Sequence, residues 1–137
     1  MMIKEALIEE ITCLDSAPVE CDGFSQLVVS ALSRQNQEYK VFSGCVSTAN
    51  GEKFSPHLWV EWEGYIIDFR VRMWLGQDAQ HGFLPKSDFE KLYDGEEIYM
   101  APLEPFMEEI LKTPFPKEIM DQLQKQATPN PVKPKMK

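Results

Sequence analysis

The most constraining stretch of this chain runs from His57 to Arg70, HLWVEWEGYIIDFR. Two runs rich in β-branched and aromatic residues flank Glu63-Gly64, and a two-residue connection ending in Gly reads as the turn of an antiparallel hairpin. With that turn, Trp62 faces Tyr65, Trp59 faces Asp68 and His57 faces Arg70. Side chains alternate between the two faces of a strand, so His57, Trp59 and Asp68 share one face, and Asp68 lies diagonal to His57 at roughly 7–8 Å between backbones. A carboxylate placed there reaches an imidazole.

Around the hairpin the pattern moves between helix and strand. Ile3, Leu7, Ile8 and Ile11 make the apolar stripe of an amphipathic helix over 2–11. Asp15, Ser16 and Pro18 break it, and a loop over 12–20 carries the chain to Cys21. From Asp22 a second helix sets Phe24, Leu27, Val28, Ala31 and Leu32 on one face, with Ser25, Ser33 and Arg34 off it, and should be buried along its length. Residues 39–47 alternate and are rich in β-formers, a strand that ends before the turn residues Asn50 and Gly51. The hairpin strands are expected over 57–62 and 65–70. After Trp74-Leu75-Gly76 a polar stretch runs to His81, and Ser87-Asp88-Phe89-Glu90 has the spacing of a capping box, which predicts a short helix to about Tyr93. An edge strand over 96–100, a helix over 103–112 and a last helix over 116–126, with Pro116 near its first turn, complete the order. Met100, Met107 and Met120 fall at positions expected to be core. The 137 residues fit a single domain over 1–126, and the proline-rich end predicts a disordered tail over 127–137.

Charge and cysteine usage exclude several classes. A formal net charge of −8 opposes a phosphate-binding surface, and the one basic cluster, Lys133 to Lys137, is short and interrupted by Pro134. No nucleic-acid partner is expected. The opening MMIKEALIEEI is acidic and lacks a cleavage site, and no apolar run reaches the roughly 18 residues of a membrane span, so a cytoplasmic protein without a membrane partner is expected. Cys13, Cys21 and Cys45 form an odd set without a CxxC pair, which suits neither a disulfide framework nor structural zinc. There is no Gly-rich phosphate loop, and no metal or cofactor is expected. Nothing in the sequence sets an oligomeric state.

The remaining cue is a reactive thiol. Cys21 stands at the start of the second helix, where unpaired backbone N–H groups and the positive end of the macrodipole favour thiolate. An imidazole whose one nitrogen is fixed by a carboxylate presents the other to such a thiolate. Singly, each residue has a plainer role: Cys21 as a small buried side chain, His57 as a bonded strand-end histidine, Asp68 as a partner of Arg70 or Arg72. Together they favour a Cys21, His57, Asp68 triad.

Taken in order, Cys21 with its apolar helix, VFSGCV with Gly44, HLWVEW and YIIDF resemble the core of transglutaminase-like, papain-related cysteine enzymes over about residues 17–70. The resemblance implies an α+β fold with a papain/transglutaminase-like core: N-terminal helices, one carrying the cysteine, packed on a small antiparallel sheet, with C-terminal helices. It implies Cys21 as nucleophile, His57 as general base and acid, Asp68 as orienter and Trp59 as a substrate-binding aromatic beside the histidine. The expected function is cysteine-dependent acyl transfer, of peptidase, deamidase or transglutaminase type, on an amide, isopeptide or thioester of a protein or peptide substrate. The alternative is a non-catalytic protein- or peptide-binding module with the same fold.

Three features depart from that pattern. Glu20 and Asp22 flank the cysteine and oppose a thiolate, unless Asp22 caps the helix and points away. No Gln or Trp precedes Cys21 as a side-chain oxyanion donor, which leaves its own backbone N–H. The hairpin is also short, with little material to enclose a site. Elsewhere, Cys45 is expected to be a buried structural thiol, His81 an exposed loop histidine, and Cys13 carries no signal. A Cys21/His57/Asp68/Cys45 metal site has usable ligand types but no chelating spacing.

Overall fold

The computed structural model describes residues 2–113. The expected helix over 116–126, Met120 and the tail over 127–137 lie outside them. Among the described residues the fold is mixed α+β, with five α-helices and one five-stranded antiparallel sheet. The helices are α1 (Met2–Cys13), α2 (Cys21–Arg34), α3 (Arg72–Leu75), α4 (Lys86–Phe89) and α5 (Pro105–Lys112). The strands are β1 (Lys40–Ser47), β2 (Lys53–Trp62), β3 (Tyr65–Asp68), β4 (Gly82–Pro85) and β5 (Tyr93–Ile98), in spatial order β4-β3-β2-β1-β5.

The hairpin forms as the alternation dictates. Glu63 and Gly64 both have positive φ, 53° and 80°, the backbone of a type I′ turn, whose twist matches that of the strands it joins. Trp62 pairs with Tyr65, Glu61 with Ile66 and Val60 with Ile67. Leu58, Val60 and Trp62 then point toward α1 and α2 and join Leu7, Ile11, Phe24, Leu27, Val28 and Leu32 in the main core. A fully buried side chain such as Leu32 stabilises this packing by about 2–5 kcal/mol relative to alanine. On the other face Trp59, Ile66 and Leu84 cluster with Phe42, Phe89 and Tyr93.

Several boundaries differ from expectation. β2 begins at Lys53, four residues earlier than the hydrophobic pattern shows, because Pro56 reads as a break. The register against β1 moves from Gly44↔His57 to Val46↔Phe54, so Ser55 and Pro56 together oppose Cys45. That is a β-bulge, a place where a strand tolerates proline. β3 ends at Asp68; α3 comes before the polar stretch that runs to His81, and β4, which pairs with β3, comes directly after it. The capping box does not form: α4 starts directly after Pro85 without a side-chain cap and continues as a 3-10 turn over 90–92. Lys86 N–H donates to Gly64 O at 2.9 Å, which ties that corner to the hairpin turn.

β5 is an edge strand as expected but starts at Tyr93, and its exposed Asp94, Glu96 and Glu97 guard the open edge against pairing with another chain. Ser25 is buried, not off the packed face of α2; Met100 and Met107 are half-buried, Met100 against the main core. Among the described residues no helix is long and apolar enough to cross a membrane.

Candidate active site

The bulge at Ser55-Pro56 immediately precedes His57, whose side chain is fully buried. Its Nε2 lies 2.8 Å from Asp68 Oδ2 on the neighbouring strand, the diagonal contact that the two-residue turn dictates. A carboxylate only accepts hydrogen bonds, so with Asp68 ionised Nε2 carries the proton and Nδ1 is left for chemistry. Nδ1 is buried and has no hydrogen-bond partner among the described residues. Burial alone would lower the imidazole's pKa, but the bond to Asp68 and then the neighbouring Cys21 thiol outweigh it, and His57 is pushed up to about 9.

Asp68 is itself held from two sides. Arg70 N–H donates to Oδ1 at 3.1 Å, and the Tyr93 hydroxyl donates to Oδ2 at 2.8 Å. Tyr93 arrives from β5, at the far side of β1 and β2, because glycines let that edge close in. A Cβ on Gly44 would run into Asp94 O and Gly95 Cα, and one on Gly95 would stand 2.8 Å from the Trp59 ring. Burial, with the nearby Asp68 charge and hydrogen bond, pushes the Tyr93 pKa upward, so it stays a neutral donor.

Cys21 is the first residue of α2 and is half-exposed. The first helical bond runs from Phe24 N–H to Glu20 O at 2.8 Å, and Gly23 N–H is taken by Asp22 Oδ1 at 2.7 Å. The backbone N–H groups of Cys21 and Asp22 remain as the helix's orphan donors. Asp22 thus accepts from the next residue's backbone and does not act as the helix cap, which is Glu20 without a side-chain hydrogen bond. Glu20 is exposed, where water screens its charge.

The loop before Cys21 is fixed by Arg70. This buried guanidinium donates to Val19 O (2.7 Å), Asp15 Oδ1 (2.7 Å), Phe69 O (2.9 Å), and the carbonyls of Asp15 and Ala17 (both 3.1 Å). It also lies 4.6 Å from the Phe24 ring centroid. The reading that paired Asp68 with Arg70 or Arg72 side chains is corrected: only the Arg70 backbone touches Asp68, and Arg72 Nε donates to Ala79 O at 2.8 Å. Arg70 thus holds Asp68 with its backbone and the loop before Cys21 with its side chain.

Trp59 lies beside His57, ring centroids 6.2 Å apart, packed against Phe42 and Tyr93 and only 2 % exposed. As placed, it backs the imidazole from inside the sheet. His81 is not an exposed loop histidine: its Nε2 is 3.1 Å from Asp15 Oδ2 and its ring meets Phe69 edge-on. It lines a cleft of about 500 Å³ shared with Pro18, Val19, Glu20 and Met73, beside the loop that leads to Cys21. A larger cavity of about 600 Å³ surrounds the Glu63-Gly64 turn, at the opposite end of the hairpin from His57. Cys45 is half-exposed, not buried, and Cys13 is exposed. Among the described residues no three His, Cys, Asp or Glu side chains gather as a metal ion would require.

Sequence reasoning did not find Tyr93 or the role of Arg70. Tyr93 depends on a β1–β5 pairing without a local signal, and the partners of Arg70 are mostly carbonyls, which every residue has. In comparisons with family models, curated proteins and solved structures, nothing matches this chain.

Proposed function

We propose that this protein is a cysteine-dependent acyl-transfer enzyme with a papain/transglutaminase-like core. The observation that carries this reading is the buried His57–Asp68 pair with an unpartnered Nδ1 beside the thiol at the N-terminus of α2. A buried polar nitrogen without a partner is costly, and a reacting thiolate would satisfy it.

His57 takes the Cys21 proton, and the imidazolium stabilises the thiolate, with Asp68 and Tyr93 keeping Nε2 protonated. The thiolate attacks the carbonyl carbon of an amide, isopeptide or thioester in a protein or peptide. Negative charge collects on the carbonyl oxygen, where the Cys21 backbone N–H donates. His57 then protonates the departing amine or thiol, a thioester to Cys21 remains, and water or an amine activated by His57 releases the acyl group. Free thiols at all three cysteines suit a reducing, cytoplasmic setting.

The test is alkylation of Cys21 by iodoacetamide, followed by intact mass, in wild type and His57→Gln, whose amide retains a donor to Asp68. A His57 imidazolium that holds Cys21 as thiolate predicts that wild type reacts faster at pH 6.5 than a model thiol, and that the substitution slows both alkylation and acyl turnover, the latter by about 10²–10⁴-fold. Equal alkylation rates with and without His57 sink the triad. A non-catalytic module would instead keep its partner affinity in Cys21→Ala and show no acyl adduct on Cys21 after incubation with cell lysate.

A further inference from the structure

Helix α3 stands between the two halves of the candidate site. Met73 lines the cleft with Val19 and Glu20, the residues that lead into Cys21. Trp74 stacks on Phe54, ring centroids 4.6 Å apart and planes within 7°, and Phe54 stands edge-on to His57 at 6.2 Å. Yet Met73 is 49 % and Trp74 41 % exposed. Adjacent in sequence and exposed beside the candidate site, the two side chains offer an apolar contact surface.

The shelf is also rigid. Trp74 and Leu75 N–H both donate to Val71 O, at 3.0 and 2.9 Å, and Val71 and Ala79 are buried with Leu75 and Phe54 packed on them. The inner face of the indole is taken by Phe54, so its outer face is presented to solvent in a fixed plane. A preorganised aromatic face loses little entropy on binding and favours another flat apolar group by stacking.

We propose that Trp74, supported by Phe54 and flanked by Met73, is the specificity surface of this site, and that it takes the aromatic side chain of the acyl donor attacked by Cys21. This rests on the acyl-transfer reading above. The acyl group is the portion retained on Cys21 after the leaving group departs, so its side chain stays near the thioester and can lie on α3 through both steps. An aromatic peptide residue immediately before the scissile bond fits this surface.

The experiment uses the full chain and thioesters of N-acetylated phenylalanine, glycine, lysine and glutamate with a common small thiol leaving group. Cys21 attacks the carbonyl, the bond to the leaving sulfur breaks, and His57 protonates that sulfur; water then releases the N-acetyl amino acid and restores the thiol. The expected result is a kcat/KM for the phenylalanine donor about 10-fold or more above the glycine donor. Trp74→Ala should reduce that ratio to near unity, while Trp74→Phe, which keeps an aromatic face, should retain most of it. Equal rates for the phenylalanine and glycine donors, or a preference for lysine, in a wild type that is acylated on Cys21 overturn the shelf and leave the triad standing. Acylation by none of the donors, with Cys21 alkylated equally with and without His57, overturns the triad and the shelf with it.

Discussion

The two halves of the candidate site are built by different means. The half made by His57 with Asp68 sits on one hairpin, with the partners 11 positions apart and a turn that sets their register. The Cys21 half is assembled across the chain: Arg70 reaches back 51 to 55 residues to hold the loop over Asp15, Ala17 and Val19. The first costs little loop-closure entropy, and the second depends on the whole domain being folded. A site divided in this way should fail in two separable manners, and the following substitutions separate them.

The largest effect is expected at Arg70. Arg70→Ala leaves buried carbonyls of Ala17 and Val19 without a donor and opens a space beside Phe24, which should cost about 3–5 kcal/mol by denaturant unfolding. Arg70→Lys keeps the charge but loses the fork, so it should fold better than Arg70→Ala yet still react slowly at Cys21. Its backbone N–H would still hold Asp68, so the pH dependence produced by His57 should persist. A lysine variant with wild-type Cys21 reactivity would show that the loop holds its place without the guanidinium.

The acid–base half should announce itself through pH. His57 has a folded pKa near 9 against an ordinary value of 6.5, so its charged form contributes stability that is fully present below pH 6.5 and lost as pH rises through 9. The loss across that window is on the order of 3 kcal/mol. Asp68→Asn removes the charge that sustains this shift, so the variant's stability should fall less than that of wild type as pH rises from 6.5 to 9. Parallel stability profiles from pH 6 to 10 would refute the pairing as an energetic link.

How much of this was legible in the sequence follows the same division. His57 and Asp68 could be placed together because strand alternation and a two-residue turn are arithmetic on neighbouring residues. Cys21 at a helix start was legible from the apolar spacing after Asp22. Pro56 hid the first part of β2, since proline in a strand is acceptable only at an irregularity that the partner strand reveals. α3 and β4 have four residues each, too short for a period to show. The contribution of Tyr93 appears only once β5 lies beside β1. Tyr93→Phe therefore tests a part of the acid–base half that comes from far away: it deletes one hydroxyl donor to Asp68 and should cost about 1 kcal/mol and a few-fold in acyl turnover. An unchanged rate would make the tyrosine a packing residue against Trp59 alone.

The smallest effect isolates the hairpin from the chemistry. Glu63 is held at φ 53°, a conformation that Asn adopts more readily than Glu, and Asn-Gly is the preferred pair for a type I′ turn. Glu63→Asn should raise stability by about 0.5 kcal/mol, read as a higher denaturant midpoint with an unchanged slope. Glu63 is exposed and makes no ion pair among the described residues, so the substitution removes nothing but strain. Because the register is already correct, with Trp62 against Tyr65, the reactivity of Cys21 should not change. Lower reactivity in a more stable protein would mean that the turn is strained for the benefit of the His57–Asp68 contact, and that the local half of the site is less self-sufficient than its register suggests.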